Sequence, residues 1–502
     1  MLFLSVPDSD LATFLSEVHQ LIQSAPGLLQ LVDADLDVHG KAKKAQRLAD
    51  AEWLKARTAA LPGCDCEVIE IEPASLTLSQ GRPRTPAYVV LTALFLRGYF
   101  GAGFKACDSS TMLRESMSLQ ILLSNVGVAM PGRSTLTELV NAVTNATRER
   151  VLDAQVAYVI GQKWDDFKTM LLDSTHAEGN TEWPTDSHTL VALIERVLRI
   201  GGSLPRLQLP AINCLAAHNH LAAMTSLDKQ IGFAPRGKKR EMTLRQLYKK
   251  LLWRARRVQT LLHEAVSNTE EALFALEILP SLQAMATRAV ARLREDTDAV
   301  AQVIVNCRTR VMYGAKVPLA DKVLSTSDPD AGFIAKGQRE PVIGYKPQVA
   351  RSGDGFITAL MLPQGNAADS RQLIPMIDAV SRRTRVVPTI VSVDDGYASQ
   401  ANVDAARARS IQVISINGAK GRALTAKADW DSEAYVDARN KRSAIESLLF
   451  TLKQGFGFGE VARRGLTAVH GELLEKALAY NLCRMATVRR TIANTGTVRV
   501  AA

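Results

Sequence analysis

The sequence predicts an α/β protein in which a mixed-sheet core follows a helical N-terminal domain and carries a helical insertion after its first strand. Three observations predict this class. The apolar run Met170 to Leu172 ends at Asp173 and is typical of a buried strand. Helical spacing then persists from about residue 187 to 312. From residue 325 onward, short β-prone runs follow one another and then alternate with helical segments, which is the pattern of a mixed sheet.

The composition is that of a folded globular chain. Its 502 residues are 47% hydrophobic and 22% charged, which excludes wholesale disorder and a disulfide scaffold. At roughly 100–200 residues per domain, about three domains are expected. We divide the chain into a mostly helical segment (1–84), a helical domain and candidate DNA-binding region (85–160), the first core strand and its loop (161–186), a helical insertion (187–312), the remainder of the core (313–460) and a C-terminal helix with a basic tail (461–502).

The charge balance favours a polyanionic partner such as nucleic acid, because 61 Lys and Arg face 51 Asp and Glu and leave a net charge of +10. The most basic window, 236–257, contains a single acid, Glu241. Its basic residues are Arg236, Lys238, Lys239, Arg240, Arg245, Lys249, Lys250, Arg254, Arg256 and Arg257. Helical spacing cannot place all of them on one face, so a solvated helix and a phosphate-contacting surface both remain open. Among them, Lys238, Lys239 and Arg240 are our candidate DNA contacts.

Cysteine usage leaves two interpretations. The six cysteines include no C-x-x-C pair. Cys64 and Cys66 with His218 and His220 would supply four zinc ligands, but their spacing is not that of a usual structural zinc site. The alternative is free thiols in a reducing compartment, with the two histidines on a helix or loop.

No targeting or membrane segment is expected. Met1 to Pro7 contain no Lys or Arg, which a signal peptide would carry before its apolar stretch. The longest apolar run, Tyr88 to Leu96, stops at Arg97 and is far shorter than the roughly 20 residues of a membrane span. We therefore expect a cytoplasmic protein with no membrane partner.

Residues 109–148 have the outline of a helix-turn-helix. Ser109 or Ser110 caps a predicted helix, Met130-Pro131-Gly132 forms a turn, and Thr135 with Glu138 makes a capping box at the next helix. An ordinary helical hairpin has the same outline, so DNA reading and simple packing both remain open.

The core elements follow in a regular order. The expected strands are Phe333–Ala335, Val342–Val349, Phe356–Leu362, Thr389–Val393 and Ile411–Ile416, with helices near 369–381, 398–408 and 432–453. Ser352-Gly353-Asp354-Gly355 is a hairpin turn signal. Hairpin-joined strands that then alternate with helices describe a mixed sheet, as in a ribonuclease H-like fold.

Two strands end in carboxylates, at Asp173 and at Asp394, and a third acid, Glu446, lies on the last core helix. Functional groups in α/β sheets gather at the carboxyl ends of strands. Two carboxylates there and one from a packed helix are suited to a pair of Mg²⁺ ions, which prefer oxygen ligands and serve phosphoryl transfer. Taken singly, each Asp is as well explained as a cap or loop residue, and Glu446 as a solvated helix residue.

The helix around Glu446 carries a basic stripe. Arg439, Arg442, Glu446 and Lys453 are spaced so that they share one helical face, beside an apolar stripe that can pack on the sheet. This arrangement fits a metal ligand beside a DNA backbone. An ion pair between Arg442 and Glu446, four residues apart, is the simpler interpretation, and both can hold.

These residues resemble the DDE transposases of bacterial insertion sequences. Arg442-x3-Glu446-x6-Lys453 is similar to the family signature Tyr-x2-Arg-x3-Glu-x6-Lys, and Asp394-Asp395-Gly396-Tyr397 is similar to its Asp-x-Gly-Tyr motif. The context of the first acid, Asp173-Ser174-Thr175 with Asn180 and 184–187, looks most like the ISNCY group. The resemblance spans roughly residues 85–480.

The resemblance implies roles for individual residues. Asp173, Asp394 and Glu446 would form the metal-binding catalytic triad, and Arg442 and Lys453 would contact DNA near the transposon end. Arg439 stands where the family has Tyr, which puts the role of that position in doubt, while Tyr435 lies one turn earlier. The glycine register of the second motif favours Asp394 over Asp395.

The resemblance further implies a transposase that cuts DNA at the terminal inverted repeats of its own element and joins the ends to target DNA. It would use two Mg²⁺ ions, with Mn²⁺ as a substitute, and act as a homodimer or higher multimer on DNA. Two alternatives remain at this point: a catalytically inactive regulator that binds DNA ends, and a ribonuclease H-like nuclease that cuts without joining. The glycine-rich stretch 455–459 follows a helix rather than a strand, so we interpret it as a turn and not as a phosphate loop.

Overall fold

The structure is a computed structural model. It describes residues 10–59, 84–100, 131–181, 185–212, 214–234, 237, 239–318, 321–335 and 340–495. The chain divides into two compact units, the first built from residues 1–39, 82–180 and 330–502 and the second from residues 40–81 and 181–329.

The first unit contains a mixed five-stranded sheet. Its strands are β1 (Thr169–Ser174), β5 (Gln348–Ser352), β6 (Ile357–Met361), β7 (Ile390–Asp394) and β8 (Val413–Asn417), in the order β6-β5-β1-β7-β8. β1 is central, antiparallel to β5 and parallel to β7, and β8 continues the parallel side. The predicted hairpin turn joins β5 to β6. The predicted mixed sheet of parallel and antiparallel strands is thus present.

Alternation along the strands gives the sheet two different faces. Met170 and Leu172 of β1 and Val391 and Val393 of β7 belong to one buried apolar cluster. Side chains of the helices α10 (Leu373–Thr384) and α11 (Gln400–Ala408) complete that cluster. The residues between them, including Asp173 and Asp394, therefore project from the opposite face.

A second sheet explains one departure from the prediction. The run 342–349, expected as one strand, is divided between β4 (Val342–Tyr345), in a three-stranded sheet with β2 (Ala177–Glu178) and β3 (Gly332–Ile334), and β5 in the five-stranded sheet. Pro347 stands between the two strands, and a proline has no N–H to donate to a continuous ladder. The predicted run is therefore two strands in two sheets.

Helices form the rest of the first unit. The N-terminal helices are α1 (Asp10–Ser24), α2 (Gly27–Ala59), α3 (Ala87–Tyr99), α4 (Arg133–Ala142) and α5 (Asn145–Gly161), of which α2 extends beyond this unit. The later ones are α12 (Ala419–Leu424), α13 (Lys427–Trp430), α14 (Glu433–Lys441), α15 (Ser443–Phe456) and α16 (Leu466–Thr495). α16 packs against α1, α3 and α5. Most of the predicted helix-turn-helix, 101–130, lies outside the described residues.

The second unit is helical. It contains α6 (Asp186–Ser203), α7 (Leu215–Gly232), α8 (Arg240–Phe274) and α9 (Pro280–Cys307), which share one buried apolar core. Of the four residues considered as zinc ligands, Cys64 and Cys66 lie outside the described residues, and His218 and His220 lie on α7. Within the described part of the chain, none of the helices has both the length and the apolar character needed to span a bilayer.

Candidate active site at the sheet edge

Two of the three predicted carboxylates lie at the ends of neighbouring strands. The parallel ladder between β1 and β7 ends at the pair Leu171 and Ser392. Asp173 and Asp394 each lie two residues further along their strands. Since both side chains project from the same face of the sheet, the structure brings these two residues together at the carboxyl ends of their strands.

Each of these carboxylates is oriented by a backbone amide. Asp173 is buried, and its Oδ1 accepts a hydrogen bond from the amide of Ser174 at 2.7 Å. Asp394 is partly buried, and its Oδ1 accepts from the amide of Gly396 at 3.0 Å. The backbone therefore fixes the orientation of one oxygen of each carboxylate.

Glu446 is connected to this pair through Arg442. The Nη1 of Arg442 donates to Oε1 of Glu446 at 2.6 Å, and its Nη2 lies 3.5 Å from Oδ2 of Asp173. The Glu446 side chain is 55% exposed. The buried Nε of Arg442 has no hydrogen-bond partner among the described residues. The predicted ion pair is therefore present, and one guanidinium links two predicted triad members.

The helix that carries this arginine is not continuous. A single helix near 432–453 was expected, but α14 ends at Lys441 and α15 begins at Ser443. Around Arg442 the backbone is drawn into i to i+3 hydrogen bonds, from Arg442 N to Arg439 O at 3.3 Å and from Ile445 N to Arg442 O at 3.1 Å. This tight turn separates the predicted basic stripe into two short helices.

The remaining predicted contacts occupy different surroundings. The Nζ of Lys453 lies 3.3 Å from Nε2 of His176, just beyond the end of β1. Arg439 places its guanidinium over the ring of Trp430, 5.0 Å from the ring centroid. Tyr435 is buried and exchanges hydrogen bonds with the backbone of Ile416 on β8. Arg439 is therefore held by an aromatic ring, and Tyr435 supports the sheet.

Asp395 has a different role from its neighbour. Its carboxylate accepts hydrogen bonds from the amides of Lys420 at 3.2 Å and Gly421 at 2.8 Å, at the first turn of α12. Gly418, which precedes that helix at φ +141°, is packed so closely that an added Cβ would lie 2.4 Å from Cγ of Asp395. Asp395 is thus occupied as a helix cap.

A polar network not predicted from the sequence borders the two strand-end acids. The hydroxyl of Tyr397 donates to Oε1 of Gln348, whose Nε2 donates to Oδ1 of Asp369 at 2.8 Å. Lys346 forms an ion pair with Asp369 at 2.9 Å. Gly396 packs between Asp394 and Asp369, so Asp369 is a further carboxylate near the edge. Only Tyr397 belonged to a recognised motif.

Burial and negative charge keep Tyr397 protonated. Desolvation raises the pKa of its hydroxyl well above the usual value, and the nearby Asp369, Asp173 and Asp394 raise it further. A phenol that keeps its proton is a fixed donor, so Tyr397 holds Gln348 in one orientation. The same electrostatic contributions place the ring among three carboxylates.

The donors at this edge are hard oxygens, which suit Mg²⁺ or Mn²⁺. Within the described residues, however, no set of three or more His, Cys, Asp or Glu side chains is arranged to hold a metal ion. Asp173 and Asp394 lie at the ends of neighbouring strands, whereas Glu446 is engaged with Arg442. The strand-end pair alone matches the one or two carboxylates that Mg²⁺ usually takes.

The candidate DNA contacts from the basic window 236–257 lie in the second unit. Lys239 and Arg240 are exposed at the start of α8, and Lys238 lies outside the described residues.

Comparison with known proteins finds a family match for part of the chain. Residues 317–482 match the family described as Transposase DDE domain. This range includes Asp394 and Glu446 and begins after Asp173. No curated protein and no solved structure matches the chain significantly. The helical N-terminal region and the mixed sheet fit a ribonuclease H-like DDE domain. The match supports a DDE-type insertion-sequence transposase, a class of enzyme that generally performs metal-dependent phosphoryl transfer on DNA.

Proposed function

We propose that this protein is a DNA transposase that cleaves DNA at the terminal inverted repeats of its own insertion sequence and joins the freed ends to target DNA. We place it nearest the ISNCY group, and propose that it acts in the cytoplasm as a homodimer or higher multimer bound to two ends.

The observation that carries the proposal is the position of Asp173 and Asp394 at the carboxyl ends of neighbouring parallel strands, where both act on the hydroxyl of Tyr397. It is supported by the link from Asp173 through Arg442 to Glu446, which brings a residue of the helix pair to the same edge. The family match adds independent support, since it covers the second and third acids.

The proposed metal ligands are Asp173, Asp394 and Glu446, with Mg²⁺ as the natural ion and Mn²⁺ as a substitute. The pair on the sheet fits the hard-oxygen requirement without change, and Glu446 would join it by exchanging its bond with Arg442. When bound, two such ions supply charge stabilisation to the phosphoryl group and lower the pKa of a bound water.

The chain's own residues orient the DNA. Arg442 carries its donors in a planar fork, and the two terminal nitrogens that now face Glu446 and Asp173 can pair with a phosphate as well as with a carboxylate. Lys453, beside His176, supplies a second cation near the end of β1. We propose that these two hold the phosphates that flank the scissile bond, while Tyr397 and Gln348 fix the position of the edge.

The chemistry consists of two displacements at phosphorus. In the first, a water oxygen bonds to the scissile phosphorus and the 3′ oxygen leaves as a free hydroxyl. In the second, that hydroxyl oxygen bonds to a phosphorus of target DNA and displaces a 3′ oxygen there. Neither displacement requires a covalent bond to the protein.

The test uses purified full-length protein, Mg²⁺ and labelled DNA that carries the ends flanking its gene. Asp394→Asn is compared with Asp395→Asn, which removes the same charge one residue away and keeps a helix-capping oxygen. We expect Asp394→Asn to lower cleavage at least about 100-fold, beyond the effect typical of outer-shell metal contacts, and Asp395→Asn to retain it.

Other outcomes identify the alternatives. Specific end binding without cleavage by the wild type would indicate a catalytically inactive regulator derived from a transposase. Cleavage without a strand-transfer product would indicate a nuclease. Equal losses in the two variants would remove Asp394 from the proposed site.

A further inference from the structure

Helix α8 of the second unit has one face buried in the helical core and an opposite face that is rich in basic residues. Tyr248, Leu251, Leu252, Ala255 and Val258 are buried in the helical core. With about 100° of rotation per residue, the opposite side of the helix spans about 180° and carries six basic residues. They are Arg245, Lys249, Lys250, Arg254, Arg256 and Arg257. Thus more of the basic window shares one face than its count of charges suggested.

Trp253 lies at the middle of this basic face. Its side chain is 52% exposed, which is unusual for the largest apolar residue. The guanidinium of Arg257 lies 4.6 Å from the ring centroid and that of Arg254 lies 5.8 Å away. His220 of α7 meets the ring edge at a centroid distance of 5.9 Å. The indole is therefore positioned by its neighbours and not buried by them.

The ring borders a groove between α7 and α8 of about 510 Å³. The polar or charged residues that line it with Trp253 are Ser226, Gln230, Lys249, Lys250 and Arg254. Among the described residues, no carboxylate lines the groove, and Glu241 pairs with Arg245 at the far end of the face. The groove thus combines an aromatic surface, uncharged hydrogen-bonding groups and cations.

We propose that this groove binds an unstacked nucleobase of single-stranded DNA, with Trp253 stacking on the base and Lys249, Lys250 and Arg254 holding the adjoining phosphates. An aromatic platform within a cationic groove is what single-strand binding requires. A closed duplex could use only the cations of the groove, through its phosphates. It could not use the indole, because the faces of its bases are covered by neighbouring bases. The exposed indole at the centre of the charge is the feature that favours a displaced base.

The proposal rests on the proposed function only in taking DNA as the polyanion. It is tested by binding, without cleavage, so the two can fail separately. If the protein binds single-stranded DNA through Trp253 but does not cleave DNA, the proposed function is contradicted and the groove proposal stands. If the protein cleaves DNA but its single-strand binding does not depend on Trp253, the groove proposal is contradicted and the proposed function stands.

The experiment measures the affinity of the full chain for a single-stranded oligonucleotide of about 12 nucleotides that contains one 2-aminopurine, within the usual site size. The comparison ligands are an oligonucleotide of the same length that is abasic at every position and the corresponding duplex. The variants are Trp253→Ala, Trp253→Phe and, as matched control, Trp53→Ala, which removes another helical tryptophan with an arginine, Arg57, over its ring.

We expect Trp253→Ala to weaken single-strand binding about tenfold, as loss of one base stack should, and to leave duplex binding unchanged. Trp253→Phe should stay within about threefold of wild type, since phenylalanine also stacks. Lys249→Gln with Lys250→Gln should weaken both DNA forms and reduce the salt dependence. Unchanged binding by Trp253→Ala, or equal affinity for the abasic oligonucleotide, would overturn the proposal. Displacement by polyglutamate as effective as by DNA would also overturn it, in favour of a charge-only surface.

Discussion

Two glutamates in the first unit form ion pairs with arginines, one in the buried interior and one at the surface. Glu475 of α16 is 1% exposed and is held by Arg97 at 2.6 Å, Arg148 at 2.7 Å and Arg463 at 2.7 Å. Glu446 of α15 is 55% exposed and, within the described part of the chain, forms an ion pair with Arg442. Burial by itself would raise the pKa of Glu475, yet its three arginines lower that pKa to about 2.

The buried glutamate stabilises the fold, whereas the exposed glutamate is free to change partners. The Glu475 cluster joins α3, α5 and α16, and a buried charge with three partners cannot leave without exposing the others. Glu446 is exposed to solvent and has a single arginine partner among the residues that the structure describes, so exchange of that contact for a metal ion, or of Arg442 to a phosphate, should cost little. The same pair of residue types therefore gives one permanent and one exchangeable connection.

The largest effect is expected at the buried cluster. Glu475→Gln should lower the free energy of unfolding by about 3–5 kcal/mol, because it leaves three arginines without their counterion. Urea unfolding curves measure this, with Glu446→Gln as the matched control at less than about 1 kcal/mol. Similar losses in the two variants would break the comparison.

The second prediction concerns acid. The folded-state pKa of Glu475, about 2, lies below its unfolded value of roughly 4.3. Its stabilising contribution of about 3 kcal/mol is therefore complete above the unfolded pKa and is lost as pH falls through the folded pKa. Unfolding of wild type and Glu475→Gln from about pH 7 to 2.5 should show a constant difference in stability that shrinks only below about pH 5. A difference that does not depend on pH would contradict the assignment.

The third prediction concerns the exchangeable connection. Glu446→Gln should reduce DNA cleavage about 100-fold, since a neutral amide cannot replace a carboxylate ligand of Mg²⁺. Gel assays of labelled ends measure it, with Glu433→Gln on α14 as a control that removes an exposed carboxylate from the same helix pair. Full cleavage by Glu446→Gln would remove this residue from the proposed triad.

The smallest effect is expected from the bordering network. Tyr397→Phe removes the donor to Gln348 and should cost about 1–2 kcal/mol of stability and about tenfold in cleavage. Tyr435→Phe, which removes a buried hydroxyl from the backbone of β8, should have a similar cost in stability and leave cleavage intact. If both variants lose cleavage equally, Tyr397 supports the fold and not the site.

Local pattern was sufficient for much of the fold. The strands that end at Asp173 and Asp394 were predicted from short apolar runs, and their parallel pairing places the two acids together. Breaks inside continuous patterns were not predicted. Pro347 divides one run between two sheets, and the turn at Arg442 divides one helix, although neither changes the local polarity pattern.

The rest of the site depends on contacts between distant parts of the chain. Asp369 and Gln348 meet through the folded sheet, and no spacing rule connects them with Tyr397. Counting charges in 236–257 did not reveal that Trp253 lies at their centre, because that requires the helical phase of α8. Asp394 and Asp395 are the same residue type, and the motif register alone favoured Asp394. The structure adds that the carboxylate of Asp395 caps α12.

The central position of β1 has a consequence for synthesis. Both of its neighbours, β5 and β7, lie beyond residue 347, so this apolar strand leaves the ribosome long before either partner exists. At 5–20 residues per second, the wait is roughly 10 to 40 seconds. During that interval the helical insertion is translated, whereas the strand-end acids have no common edge to share. A chain that ends before β7 therefore lacks the sheet edge, so the proposed activity requires translation beyond Asp394.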